Sequence, residues 1–169
     1  IIGIKGKHRE VIALMREHIE KLGLGDYVSV HELPDIYPAG DEQVLVYEIT
    51  GRVVPETSIP IKAGCVVVNT ETCLNIYNAM NGKPVTEKYL TLAGDIPNRM
   101  TIKVPVGTPV RRVLELSGVD NLDDYAVIGG GPMMGPVLDS IDGFITKKDK
   151  GFILLKKSHF LIGRKTATP

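Results

Sequence analysis

The run Lys7-His-Arg-Glu-Val-Ile-Ala-Leu-Met-Arg-Glu-His-Ile-Glu-Lys-Leu22 places Val11, Ile12, Met15, Ile19 and Leu22 on one face at helical spacing. Gly23 and Gly25 follow it and stop the helix. On its N-terminal side Ile1 to Ile4 reads as the end of a strand, and on its C-terminal side Tyr27 to His31 alternates as a short strand. A strand, a crossover helix and a second strand form a βαβ-like unit, which favours an open parallel sheet and an α/β fold.

Beyond His31 the polar stretch Pro34 to Gly40 is a loop. Asp41 to Thr50 predicts a helix ended by Gly51, with Val44, Leu45 and Tyr47 available for burial. Residues 52–62, with Pro55 and Pro60, run extended and irregular. Cys65 to Val68 is an apolar, β-branched run that predicts a strand buried on both faces. Cys73 to Met80 then forms a helix with Leu74, Tyr77 and Met80 on one side, a second strand–turn–helix step.

Asn81-Gly-Lys-Pro84 punctuates the chain, and the expected domain boundary lies there, with one domain over 1–84 and another over 85–155. Strands are predicted over 86–93 and 100–106, and Thr108 as N-cap with Pro109 at the first helical position opens a short helix. Val110, Val113, Leu114 and Leu116 give that helix its apolar face before Gly118 ends it. A strand over Tyr125 to Ile128 and short apolar runs at 141–145 and 152–155 complete the order of a small α+β domain, the β-grasp, with one helix across a mixed sheet. Residues 156–169 lack periodicity and read as a linker.

Composition excludes several classes of function. Twenty Lys and Arg balance twenty Asp and Glu, so no net field draws nucleic acid or an anionic membrane. Trp is absent and Tyr and Phe are few, which argues against a base-stacking surface. The longest apolar runs fall far short of the roughly 20 residues that cross a bilayer, so no transmembrane segment is expected. Ile1-Ile-Gly-Ile-Lys5 carries no signal-peptide order and reads as a domain entered mid-strand. Cys65 and Cys73 lack the CxxC spacing of a metal or redox pair; they read as small core residues in a reduced, cytoplasmic setting, with a redox role for either left open.

Asn69-Thr-Glu-Thr72 sits where a parallel strand is expected to end and a helix to begin, the edge at which open α/β sheets place ligands. Its alternative reading is plain helix capping. In Tyr37-Pro-Ala-Gly-Asp-Glu-Gln43, Gly40 lets a ligand approach the backbone while Asp41 and Glu42 accept hydrogen bonds, yet acidic residues also suit a helix start with no ligand. Gly129-Gly-Gly-Pro-Met-Met-Gly135 departs from the dinucleotide-binding spacing and lacks GK[ST], so it reads as a tight structural loop, with Met133 and Met134 covering an apolar neighbour or an interface. His8, His18, His31 and His159 are scattered surface histidines without metal-ligand spacing.

Taken together, Tyr37-Pro-Ala-Gly-Asp-Glu-Gln43, Thr50-Gly-Arg-Val-Val-Pro55, Val66-Val-Val-Asn-Thr-Glu-Thr72, Gly82-Lys-Pro-Val-Thr-Glu87 and Gly130-Gly-Pro-Met-Met-Gly135 resemble, in order and spacing, one family. It contains the C subunit of the Rnf electron-transport complex, the cobalamin reductase of propanediol utilisation and the electron-transfer protein associated with proline reductase. A more distant likeness extends to the flavin-bearing subunit of respiratory complex I. The resemblance implies the C-terminal part of an FMN-binding domain over 1–84, an SLBB-type β-grasp domain over 85–155, and a linker towards an iron–sulfur domain. It implies that the chain is an internal fragment.

For the parent, the resemblance implies electron transfer from NADH through FMN to [4Fe–4S] clusters and then to a partner protein or membrane complex, the cofactors supplying the chemistry. The parent is then cytoplasmic or peripheral on the inner face of a membrane. The residues implied beside the flavin are Tyr37, Gly40, Asp41, Glu42, Val68, Asn69, Thr70 and Thr72, with no catalytic side chain and no metal ligand among them. Asp41 stands where complex I relatives commonly carry Glu. The sequence after Leu155 looks closer to the cobalamin-reductase and proline-reductase branch. The fragment alone is expected to hold FMN weakly or not at all and to be inactive. Two alternatives stand beside this reading: a non-catalytic β-grasp module that binds a ligand or protein, and a small enzyme using Cys65 or Cys73.

Overall fold

The structure is a computed structural model and describes residues 1–166. Two compact units divide between Asn69 and Thr70.

In the first unit, β1 (Ile2–Lys5) and β2 (Val30–Leu33) pair in parallel, with Ile2 opposite Val30 and Lys5 opposite Leu33. The crossover between them is α1 (Arg9–Lys21), so the βαβ unit is present. The buried stripe of α1 is narrower than its spacing predicts. Ile12 is buried and Met15 and Ile19 half-buried, whereas Val11 and Leu22 face solvent. Gly23, at φ +63°, takes the left-handed conformation that an L side chain resists, and its N–H bonds Glu20 O. Tyr27 is not in the strand. Its N–H and that of Val28 both turn back to Leu24 O, which delays β2 to Val30.

The next helix, α2 (Glu42–Thr50), buries Val46 against this unit, with Leu45 and Ile49 half-buried; Val44 and Tyr47 are exposed. Gly3 on β1 admits the close packing of α2, since a Cβ there would stand 2.9 Å from Leu45 Cδ1. A single turn of 3₁₀ helix over Pro60–Ala63 interrupts the irregular segment, and Arg52 Nη1 donates to Ala63 O.

Cys65 to Val68 forms no strand, which corrects the sequence expectation. A β-branched run is buried on both faces only between partner strands, and β1 pairs only β2 in the two-stranded sheet of the described residues. Val66 is accordingly 78% exposed.

The second unit opens with α3 (Thr70–Met80), three residues earlier than predicted. Its expected apolar side is not buried: Leu74, Tyr77 and Met80 are exposed, and so is Cys73. A mixed four-stranded sheet follows, built from β3 (Glu87–Gly94), β4 (Met100–Pro105), β5 (Tyr125–Gly129) and β6 (Gly151–Lys156) in the order β4-β3-β6-β5. The outer pairs are antiparallel and the central pair β3–β6 is parallel. With α4 (Val110–Glu115) between the two antiparallel pairs in sequence, this is the β-grasp arrangement.

The core of this unit lies between sheet and helix. Leu90, Leu92, Phe152 and Leu154 from the central strands meet Val110, Val113 and Leu114. Leu116, placed on that apolar face by spacing, is exposed. Pro109 itself, extended at ψ 132°, is the N-cap of α4, while the Thr108 hydroxyl donates to Pro105 O instead of capping the helix. The run at 141–145 makes only a single bridge, Phe144 to Pro109, yet buries Ile145.

The glycine run after β5 is a structural loop. Gly129 and Gly130 donate to Pro136 O and Gly151 O, and a Cβ on Gly135 would collide with Gly129 O. Met133 and Met134 are exposed rather than covering an apolar neighbour within the chain. The segment expected to be a linker carries α5 (Phe160–Thr166), whose Ile162 packs with Ile128 and Leu155. Residues 167–169 of that segment lie outside the described residues.

Candidate functional site

Residues singled out from the sequence open two helices. Tyr37, Gly40, Asp41 and Glu42 lead into α2; Val68 and Asn69 precede α3, and Thr70 and Thr72 lie in its first turn. At α2 the chain turns through Ala39 N–H to Ile36 O and Asp41 N–H to Pro38 O. Asp41 is the N-cap: its Oδ1 accepts from the N–H of Gln43 at 3.0 Å and of Val44 at 3.3 Å. That oxygen is committed to the helix. Tyr37 and Glu42 face solvent, and a Cβ added to Gly40 would meet no atom within 4 Å, so the backbone there is open to approach.

At the head of α3, Thr70 is exposed and Thr72 half-buried. The first four N–H groups of a helix have no partner within it, and the dipole places positive charge at that end. Polar side chains beside such N–H groups suit a ligand rich in oxygen or with a heteroatom ring edge. Glu42 offers an exposed carboxylate at the first of these helix starts and Thr70 an exposed hydroxyl at the second. Neither of two open hollows on the second unit, one lined by residues between Asp120 and Ser158 and one by residues between Met134 and Lys165, includes either threonine.

One residue inside the Asn69–Thr72 element was missed. Glu71, the second residue of α3, turns its carboxylate to the sheet of its own unit. Its Oε2 meets Lys88 Nζ at 2.6 Å and also Lys150 Nζ, and its Oε1 accepts from the Tyr89 N–H at 3.4 Å. Burial by itself raises the pKa of this carboxyl. Hydrogen bonds from Lys150, Lys88 and Tyr89 N–H outweigh burial and hold it at about 2, against an ordinary 4.5. A signal for this pair exists in the sequence. Lys88 is in phase with Leu90 and Leu92 on a period-2 strand, so it must enter the core side of the sheet and needs a counter-charge.

Residues 1–78 match the Nuo51 FMN-binding domain family. The cobalamin reductase PduS of Salmonella typhimurium is 40% identical over 166 residues, which is 98% of this chain and 36% of that protein. The C subunit of the Na⁺-translocating ferredoxin:NAD⁺ oxidoreductase complex of Acetobacterium woodii is 34% identical over 170 residues, 99% of this chain and 37% of that protein. Over residues 1–78 the chain is similar to the FMN-binding family, and over nearly its whole length it is similar to these two relatives. The C subunit of an ion-translocating oxidoreductase complex from Cronobacter sakazakii is 31% identical over 150 residues, 87% of this chain and 19% of its own length.

The chain thus spans little more than a third of the length of the first two relatives. All eight residues singled out above, and Glu71 with them, fall inside the stretch that matches the FMN-binding family. Among the described residues no group of three or more His, Cys, Asp or Glu is placed to hold a metal ion, and no helix is long and apolar enough to cross a membrane.

Proposed function

We propose that this chain is the part of a flavin electron-transfer protein that supplies polar contacts to FMN and carries a β-grasp domain of the SLBB type. The observation that carries the reading is the coincidence of the FMN-binding family match over residues 1–78 with the polar helix starts at α2 and α3. The residues assigned to the flavin are Tyr37, Gly40, Asp41, Glu42, Val68, Asn69, Thr70 and Thr72. Glu42 and Tyr37 supply exposed hydrogen-bonding groups, and Thr70 and Thr72 add hydroxyls at the positive end of a helix.

FMN, when bound, supplies the redox chemistry; the side chains named here bind and orient it. The whole protein draws electrons from NADH and passes them through [4Fe–4S] clusters to a partner reductase or to other subunits of a membrane-associated complex. Relatives that include a cobalamin reductase and subunits of Na⁺- and proton-translocating ferredoxin:NAD⁺ oxidoreductases support the electron-transfer part of this reading. On this reading the protein works at the cytoplasmic face of a membrane-associated complex or free in the cytoplasm.

The test is flavin content together with NADH-dependent reduction of an artificial dye, measured on a full-length protein that carries these 169 residues. Bound FMN and dye reduction are expected. A folded protein with neither overturns the reading.

A further inference from the structure

We propose that Glu71 is a positioning residue: it pins the head of α3 to the two central strands of the sheet and so sets where Thr70 and Thr72 stand toward the flavin. The inference rests on the reading of these threonines as FMN contacts.

None of the eleven residues of α3 is buried, so apolar packing within its unit does not hold this helix in place. Isolated helices of this length are marginal in water, and most helices depend on a buried apolar face. The hold that exists is polar and local. Lys88 and Tyr89 belong to β3, and Lys150 directly precedes β6, the parallel neighbour of β3. The Thr91 N–H donates to Lys150 O, so the two lysine-bearing segments are themselves joined by a backbone hydrogen bond. Glu71 thus touches β3 and the residue that leads into β6 from one side chain.

The chemistry makes this tie directional. The Lys88 side chain is 2% exposed and that of Glu71 14% exposed, so the pair is largely out of water, where a charge-assisted hydrogen bond holds its geometry. Glu71 lies between Thr70 and Thr72 in the first turn. A shift of its Cα moves both threonines with it. At the far end of the helix Met80 is 82% exposed. The arrangement joins the β-grasp sheet to the flavin-contacting turn through a single carboxylate.

The test separates positioning from mere stabilisation by two variants and two readouts. Glu71→Gln removes the charge and keeps the shape. Glu71→Gln with Lys88→Met also removes the buried ammonium, so the sheet regains stability without regaining the tie. Amide hydrogen exchange of Leu74 to Ile76, whose N–H groups bond the first-turn carbonyls, is read on the 169-residue chain, and retained FMN affinity on the full-length protein. In both variants exchange of these amides is expected to rise about tenfold, while that of β3 and β6 in the double variant returns to the parent level. FMN affinity is expected to fall about tenfold in both, the worth of one well-placed hydrogen bond.

Unchanged exchange at Leu74 to Ile76 in the folded variants overturns the proposal, and so does FMN affinity that recovers together with stability in the double variant. A full-length parent without FMN overturns the flavin reading and with it the consequence for Thr70 and Thr72. Exchange still decides whether Glu71 holds α3.

Discussion

Lys88 Nζ sits 2.6 Å from Glu71 Oε2, on a lysine side chain only 2% exposed. An ammonium so placed depends on its counter-charge. Glu71→Gln, which leaves Lys88 buried with a neutral partner, is expected to destabilise the second unit by about 3 kcal/mol, and Lys88→Met by much less in the same background. Urea unfolding followed by circular dichroism measures both.

The same carboxylate predicts how stability depends on acid. Its pKa in the folded state is about 2, below the ordinary 4.5. A lowered carboxyl pKa adds stability that is complete above the unfolded value and is lost as pH falls through the folded one. Stability of the wild type is therefore expected to decline between about pH 4.5 and pH 2, and Glu71→Gln to show a flatter profile across that window. Thermal unfolding at a series of pH values checks the difference in slope.

Asp41 is a cap before it is anything else. Asp41→Ala removes the acceptor of the Gln43 and Val44 N–H groups and is expected to cost about 1 kcal/mol, whereas Asp41→Asn keeps the cap and costs less. If Asp41 also contacts FMN, Asn lowers flavin affinity without lowering stability. Denaturant unfolding and flavin titration of the full-length protein, run side by side, separate the two roles.

Gly94 ends β3 at φ +114°, where an added Cβ would collide with Leu154 O. Backbone cannot give way there as a flexible side chain can. Gly94→Ala is expected to destabilise the sheet by more than about 3 kcal/mol, through strain and loss of the β3–β6 register together. Gly82→Ala, also at positive φ but with open space around it, should cost about 1 kcal/mol. Comparing the two by thermal unfolding isolates the steric part.

Ser117 is fully buried, and its hydroxyl has no hydrogen-bond partner among the described residues. An unpaired buried hydroxyl disfavours folding, so Ser117→Ala is expected to be neutral or stabilising by up to about 1 kcal/mol. A lower melting temperature for the variant contradicts this.

Elements whose signal is local were legible. The periodic run from Lys7 to Leu22, the stop at Gly51 with φ +69°, and the alternation of Leu90 and Leu92 each depend on neighbours within a few residues. Errors arose where a partner distant in sequence decides. Cys65 to Val68 has the composition of a central strand but no strand beside it among the described residues. Ile162 shows the reverse case: a segment without periodicity folds because Ile128 and Leu155 offer it an apolar seat. Thr108 is a local miss: its hydroxyl is drawn to Pro105 O, three residues back, instead of capping α4.

By itself the amino-acid sequence determined that this protein joins a βαβ unit to a β-grasp sheet, and it marked the helix start at Asp41 and the Asn69–Thr72 motif ahead of a second helix. These follow from period, turn residues and short motifs, which act over a few residues. Only the tertiary structure decided what Glu71 does. Its neighbours Lys88, Tyr89 and Lys150 lie 17, 18 and 79 positions away along the chain. Folding of the sheet brings them to one carboxylate, and the low dielectric around Lys88 makes their meeting matter.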